Sequence, residues 1–174
     1  KADRDICNIL KHAKGLPVVD LDLSSTRFSG AGLVGYYVEL QQLEKLRLSN
    51  CDLTDIGVHV LLTNTCGALL KKLNLSVTNI SDAALVGVQL PKLEILKLSG
   101  CSNLTNTGVK ELLTSNGSTL TLLDLSRTNI SGAALVGVQL SNLKHLDLGY
   151  CSNLTKTGVQ ELLTTIGSTL IILD

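Results

Sequence analysis

The chain has 174 residues, with 15 basic and 15 acidic side chains, 44% hydrophobic residues and only 2% aromatics. This is a globular composition, and its neutral balance excludes an electrostatic pull toward nucleic acid or an anionic membrane surface. No apolar run approaches the roughly 18–20 residues of a membrane span, and the polar opening KADRDICNILKHAK lacks the apolar centre of a signal peptide. With no Trp and no Met, Leu, Ile, Val and Ala must fill the core, a uniformity that points to a repeated unit.

The first segment, ICNILKHAKGLPV from Ile6, lays over VKELLTSNGSTL from Val109 with one extra residue, so residues 1–17 read as the helical half of a partial N-terminal repeat. The pattern L-x-x-L-x-L-x-x-(C/T) then begins at Val18, Leu43, Leu70, Leu93, Leu120 and Leu143, and a truncated copy occupies 170–174. Long and short intervals alternate, so the true period is a pair of repeats, and Cys51, Cys101 and Cys151 recur at that period. In LEILKLS, Leu96 and Leu98 point to one face of a predicted strand and Ile95 and Lys97 to the other. In TNTGVKELLTSNG, Val109, Leu112 and Leu113 share one face of a predicted helix, with Asn106 or Thr107 as N-cap and Gly117 at its end. Each repeat is therefore expected to be a strand, a turn, and a helix or short helical turn. One such unit buries too little to fold alone, and stacked neighbours must supply the rest.

The segments LEKLRLSNCDL at 43, LEILKLSGCSNL at 93 and LKHLDLGYCSNL at 143 resemble the leucine-rich repeat family, over essentially the whole chain. The cysteine at the ninth position, followed by L-T-x-x-G-V-x-x-L-L, is similar to the cysteine-containing subclass of F-box substrate receptors. There is likeness too to the ribonuclease-inhibitor and NOD-like receptor subclass. The short repeats depart from both, with Thr78 and Thr128 at the ninth position followed by N-I-S-x-A-A-L-V-G-V. The resemblance implies an α/β fold: a single right-handed solenoid domain over 1–174, with a concave parallel β-sheet and convex helices or short helical turns. The ninth-position residues Thr26, Cys51, Thr78, Cys101, Thr128 and Cys151 would then form a structural ladder that satisfies backbone groups where each strand turns away.

Alternate-repeat cysteines would lie about 10 Å apart, beyond the roughly 7 Å limit for disulfide-linked Cα atoms. Neither these cysteines nor Cys7 and Cys66 have the close spacing of a zinc site, so no metal is expected, and free thiols favour a cytoplasmic setting over a secreted or cell-surface one. Six N-x-(S/T) sequons, at Asn74, Asn79, Asn103, Asn116, Asn129 and Asn153, follow from the duplicated turns and read as repeat grammar. His12, His59 and His145 are scattered, and no glycine-rich phosphate loop occurs. No enzyme and no cofactor is therefore expected.

Residues 81–124 and 131–174 align without a gap and differ at 82, 91, 92, 94, 95, 97, 99, 100, 106, 110, 115, 116, 121 and 122. Of the concave positions 94, 95, 97, 99, 100, 121, 122 and 124, all but Asp124 differ. The unit was copied and its concave letters rewritten, among them Ile95 against His145, Lys97 against Asp147 and Gly100 against Tyr150. The candidate partner-binding residues are Lys45, Arg47, Lys72, Ile95, Lys97, Leu122, Asp124, Arg127, His145, Asp147, Tyr150 and Ile172. They place basic residues on the early repeats, acidic and apolar ones on the later, and one aromatic at Tyr150. The expected function is recognition of a partner protein through the concave face, as part of a longer receptor or adaptor. The alternatives are an enzyme inhibitor or GTPase-activating scaffold of the ribonuclease-inhibitor kind, or an extracellular or surface receptor. The strand at 170–174 would leave an open edge for end-to-end self-association.

Overall fold

A computed structural model describes residues 2–12, 16–33, 40–166 and 172–173. Of the expected final copy at 170–174 only Ile172 and Leu173 fall within this range, and the side chain of Cys7 lies outside the described residues.

Each copy of the leucine pattern nucleates a strand one Leu wide. The strands β1 (Asp20–Asp22), β2 (Lys45–Arg47), β3 (Lys72–Asn74), β4 (Ile95–Lys97), β5 (Leu122–Asp124), β6 (His145–Asp147) and β7 (Ile172–Leu173) form a seven-stranded parallel sheet in chain order. Equivalent positions stand in register, so Leu21, Leu46, Leu73, Leu96, Leu123 and Leu146 make one inward row. From Leu46 to Leu146 this row is fully buried, together with Leu48, Leu75, Leu98 and Leu125 behind it. The first repeat fills its share of the core with Phe28, the largest buried side chain among the described residues. The chain is a leucine-rich repeat solenoid, with the sheet on its concave side.

Backbone pairing outruns the strands. Leu48 N–H donates to Asn74 O and Asn50 N–H to Ser76 O, and the same two bonds recur in the later repeats as far as Arg127 N–H to Gly149 O. Beyond them the expected ladder forms, and it explains the paired period. Thr78 Oγ1 and Cys101 Sγ both donate to Leu75 O, at 2.7 and 3.1 Å, and lie 3.5 Å from each other. Thr128 and Cys151 share Leu125 O in the same way, and Thr26 and Cys51 share Leu23 O. One carbonyl with two lone pairs thus serves two repeats, a hydroxyl from its own and a thiol from the next.

The convex side alternates as the long and short intervals require. Long repeats carry α-helices: α2 (Asp55–Val60), α3 (Asn106–Asn116) and α4 (Lys156–Ile166). Among the described residues, the short repeats carry the 3-10 turns Ala31–Leu33, Asp82–Ala84 and Gly132–Ala134 in place of an α-helix. The partial first repeat supplies the helix α1 (Ala2–His12). Helix α2 continues as a π-helical turn over Leu61–Cys66. Its sequence explains this: against TSN before Gly117, the chain has TNTC before Gly67, one extra residue inside a helix whose ends are fixed by the stack. A single inserted residue is accommodated as a π-bulge.

The N-cap of α3 is Thr105, not the expected Asn106 or Thr107. Its Oγ1 accepts from Gly108 N–H, which frees Asn106 to accept from Ser131 N–H at 2.8 Å and to donate to Ser131 Oγ. Asp55 holds Ser81, and Asp82 holds Thr105, through the same two-point contact. A helix start and its adjoining turn are in close contact at Gly57, where a Cβ would stand 2.5 Å from the Gly30 carbonyl carbon.

Candidate functional site

With the central Leu of β2 to β6 buried and that of β1 partly so, its two neighbours face the concave side by the period of two. They form two rows across the sheet. One runs Asp20, Lys45, Lys72, Ile95, Leu122, His145, Ile172, and the other Asp22, Arg47, Asn74, Lys97, Asp124, Asp147.

The second row also holds the backbone. Asp22, Asn74, Asp124 and Asp147 each accept with Oδ1 from the N–H two residues on, at Ser24, Ser76, Ser126 and Gly149. These are Asx turns that bend the chain out of the sheet. The bend ends at a left-handed residue in every described turn: Ser25, Asn50, Val77, Gly100, Arg127 and Tyr150 all have φ between 56 and 71°. This rim position is the conformation only Gly, Asn and Asp adopt readily. At Gly100 the missing side chain leaves a shallow groove of about 420 Å³, lined by Asn50, Val77, Asn79 and Asn103. At Tyr150, its counterpart in the copy, the ring is 85% exposed, and the Arg127 guanidinium stands 5.2 Å from its centroid.

The charges differ from the sequence expectation at the early repeats. Lys45 and Arg47 do face the concave side, but β1 opposes them with two acids: Arg47 pairs with Asp20 at 2.9 Å and Asp22 at 2.8 Å, and Lys45 with Asp20 at 3.6 Å. The hydrogen bond from Arg47, helped by Ser24, holds the Asp22 carboxyl down at about 2. At the strand edge Lys71 pairs with Glu44 at 3.0 Å. Lys72, Lys97, Asp124 and Asp147 form no ion pair among the described residues. The segregation of charge therefore starts at β3, with two cations followed by two anions. Ile95, Leu122 and His145 are half-buried between these charges, and Ile172 is 45% exposed.

The described residues hold no group of three or more His, Cys, Asp or Glu side chains placed to bind a metal, and no helix long and apolar enough to cross a membrane. Cys51, Cys66, Cys101 and Cys151 are free and buried. Burial pushes the Cys66 thiol up to about 12 and raises that of Cys101. Of the sequon residues, Asn116 is buried and makes hydrogen bonds through both ends of its amide, and Asn103, Asn129 and Asn153 donate their amide nitrogens to carbonyls of the preceding repeat.

Comparison with known proteins agrees with this architecture. The family model described as Leucine Rich repeat matches residues 40–62, 89–113 and 139–163, the three long repeats. These three segments are leucine-rich repeats. No curated protein matches its sequence. Among solved structures it is similar to a chain from the crystal structure of the Rad7 and Elc1 complex in yeast, with 28% identity and a TM-score of 0.68. The likeness covers 76% of this chain but only 35% of that one. Fold, repeat and neighbour together define a protein-interaction module.

Proposed function

We propose that this module recognises its partner protein through the concave face between β3 and β7, as part of a longer receptor or adaptor. It works in the cytoplasm and without catalytic chemistry of its own. The observation that carries the reading is Tyr150: a large aromatic ring, 85% exposed, stacked on Arg127 and held on a left-handed backbone where a smaller residue would be less strained. Nothing in the fold requires that ring, and aromatic anchors of this kind dominate many interfaces. The similar structure that contains Rad7 is itself a complex with a second protein. Free, buried thiols and sequon amides engaged in backbone bonds favour the cytoplasm over an oxidising compartment.

The test is a binding titration with the captured partner. Tyr150→Ala should weaken it at least about tenfold, and Tyr150→Asn, which suits the left-handed turn, should do the same with no loss of thermal stability. Reversing Lys72 or Lys97 should mainly slow association at low salt. Substitutions at convex Lys110 and Gln160 should do little. If the convex changes abolish binding while the concave ones are silent, the face has been assigned to the wrong side.

A further inference from the structure

We infer that the segment seated on this face is a basic amphipathic helix lying across β4 to β7, an inference that rests on the recognition reading above. Neighbouring strands are about 4.8 Å apart, so side chains of one row repeat at that interval. A helix lying across the strands offers one face at i, i+3, i+7 and i+10, in steps of about 4.5 and 6 Å, and keeps pace with the rows. An extended segment offers one face only every 6.6–6.8 Å or so, and falls out of step after two strands.

The first row gives the helix its apolar contacts. Ile95, Leu122, His145 and Ile172 are register neighbours, and three of the four are aliphatic. The second row sets its charge. Asp124 and Asp147 stand directly opposite each other on β5 and β6, an arrangement of like charges that costs a sheet stability. Each gives Oδ1 to its turn, while Oδ2 takes part in no described hydrogen bond or ion pair. The fold uses one oxygen of each carboxylate, and an amide would serve it as well. The remaining negative charge matches lysine or arginine on the helix, flanking its apolar stripe. Lys97 on β4 is of the opposite sign, so the basic residues belong over β5 and β6 and not along the whole helix.

The probe is a synthetic helical peptide with leucine at i, i+3, i+7 and i+10 and lysines flanking the last two turns, titrated against the full chain by fluorescence anisotropy. Two companions differ in one property each: glutamate in place of lysine, and a central proline that breaks the helix. The lysine peptide should bind, and each companion should bind at least about tenfold more weakly. The double variant Asp124→Asn, Asp147→Asn keeps both turn acceptors and should lose the same factor, while Lys110→Glu should lose nothing. Equal binding of the proline peptide overturns the helix, and no binding of any peptide overturns the inference as a whole. Tighter binding of the glutamate peptide, sensitive to Lys72 and Lys97, overturns the basic partner but leaves the recognition face standing. Binding lost only through convex variants overturns both.

Discussion

Asn116 is the one fully buried side-chain amide among the described core residues, and its removal has a calculable cost. Its Oδ1 accepts from Leu90 N–H at 2.6 Å, and its Nδ2 donates to Val88 O at 2.9 Å and Leu112 O at 2.8 Å. The amide thus ties helix α3 to the end of the preceding short repeat. Asn116→Ala strands the Leu90 donor and the Val88 acceptor out of reach of water. At about 1–3 kcal/mol for a buried group left unpaired, partly shared between the two, the loss should be about 3 kcal/mol. Asn116→Ile separates this from simple loss of volume. The copy carries buried Ile166 at the same place, where Leu140, the counterpart of Leu90, has no amide opposite it. Isoleucine fills the site and recovers about 1.5–2 kcal/mol of apolar burial, so its net cost should be only about 1 kcal/mol. Urea unfolding at constant slope measures both. A cost below about 1 kcal/mol for alanine, or isoleucine worse than alanine, would refute the assignment.

Val77 is β-branched, 60% exposed and held at φ 57°; Val77→Gly should raise stability by about 0.5–1 kcal/mol in the same assay, the relief of left-handed strain less the entropy of glycine, and no gain would mean that the turn is not strained. In thiol labelling, Cys51, Cys66, Cys101 and Cys151 should resist reaction in the native protein, Cys66 most of all because burial pushes it up to about 12, and all four should react readily once the chain is denatured; prompt reaction of native protein would contradict the ladder. The Asp22 carboxyl sits at about 2, below its ordinary 3.8, so its contribution is complete above the unfolded value and disappears as pH falls from about 4 toward 2. Asp22→Asn should therefore lower stability at neutral pH and match the parent near pH 2; because the pair is exposed, the difference should be small and shrink further in high salt.

The strand rows, the alternating helices and the Thr–Cys ladder were legible because each recurs in phase. A periodic apolar position has one way to point, and the leucines had no alternative. What escaped the sequence is what a repeat does to its neighbour. Lys45 and Arg47 were expected as concave cations of the partner-binding face, and Asp20 and Asp22, one repeat earlier, face them in register. Asp124 and Asp147 were legible as concave charges but not as turn acceptors, since that role lies in the backbone two residues on. The left-handed rim had a visible signal: Ser25, Asn50 and Gly100 at one repeat position are residues of turns. Val77, Arg127 and Tyr150 at that position mask it. The cap of α3 was displaced by one residue because Asn106, a good cap by type, is held instead by Ser131. Asn116 gave no signal, because its partners are backbone groups of another repeat.

The carbonyl shared by a threonine and a cysteine limits how such an array can change length over evolution. A recombination that removes a whole pair, such as the stretch from Leu70 to just before Leu120, leaves every junction with its proper neighbour. Removing only the short half would set Cys51 beside Cys101 on adjoining strands. Two thiols would then compete for the space in which hydroxyl and thiol now stand 3.5 Å apart. Backbones about 4.8 Å apart lie within the span of a disulfide. An odd deletion would turn an inert structural ladder into an oxidisable pair, so the lineage can be expected to grow and shrink two strands at a time.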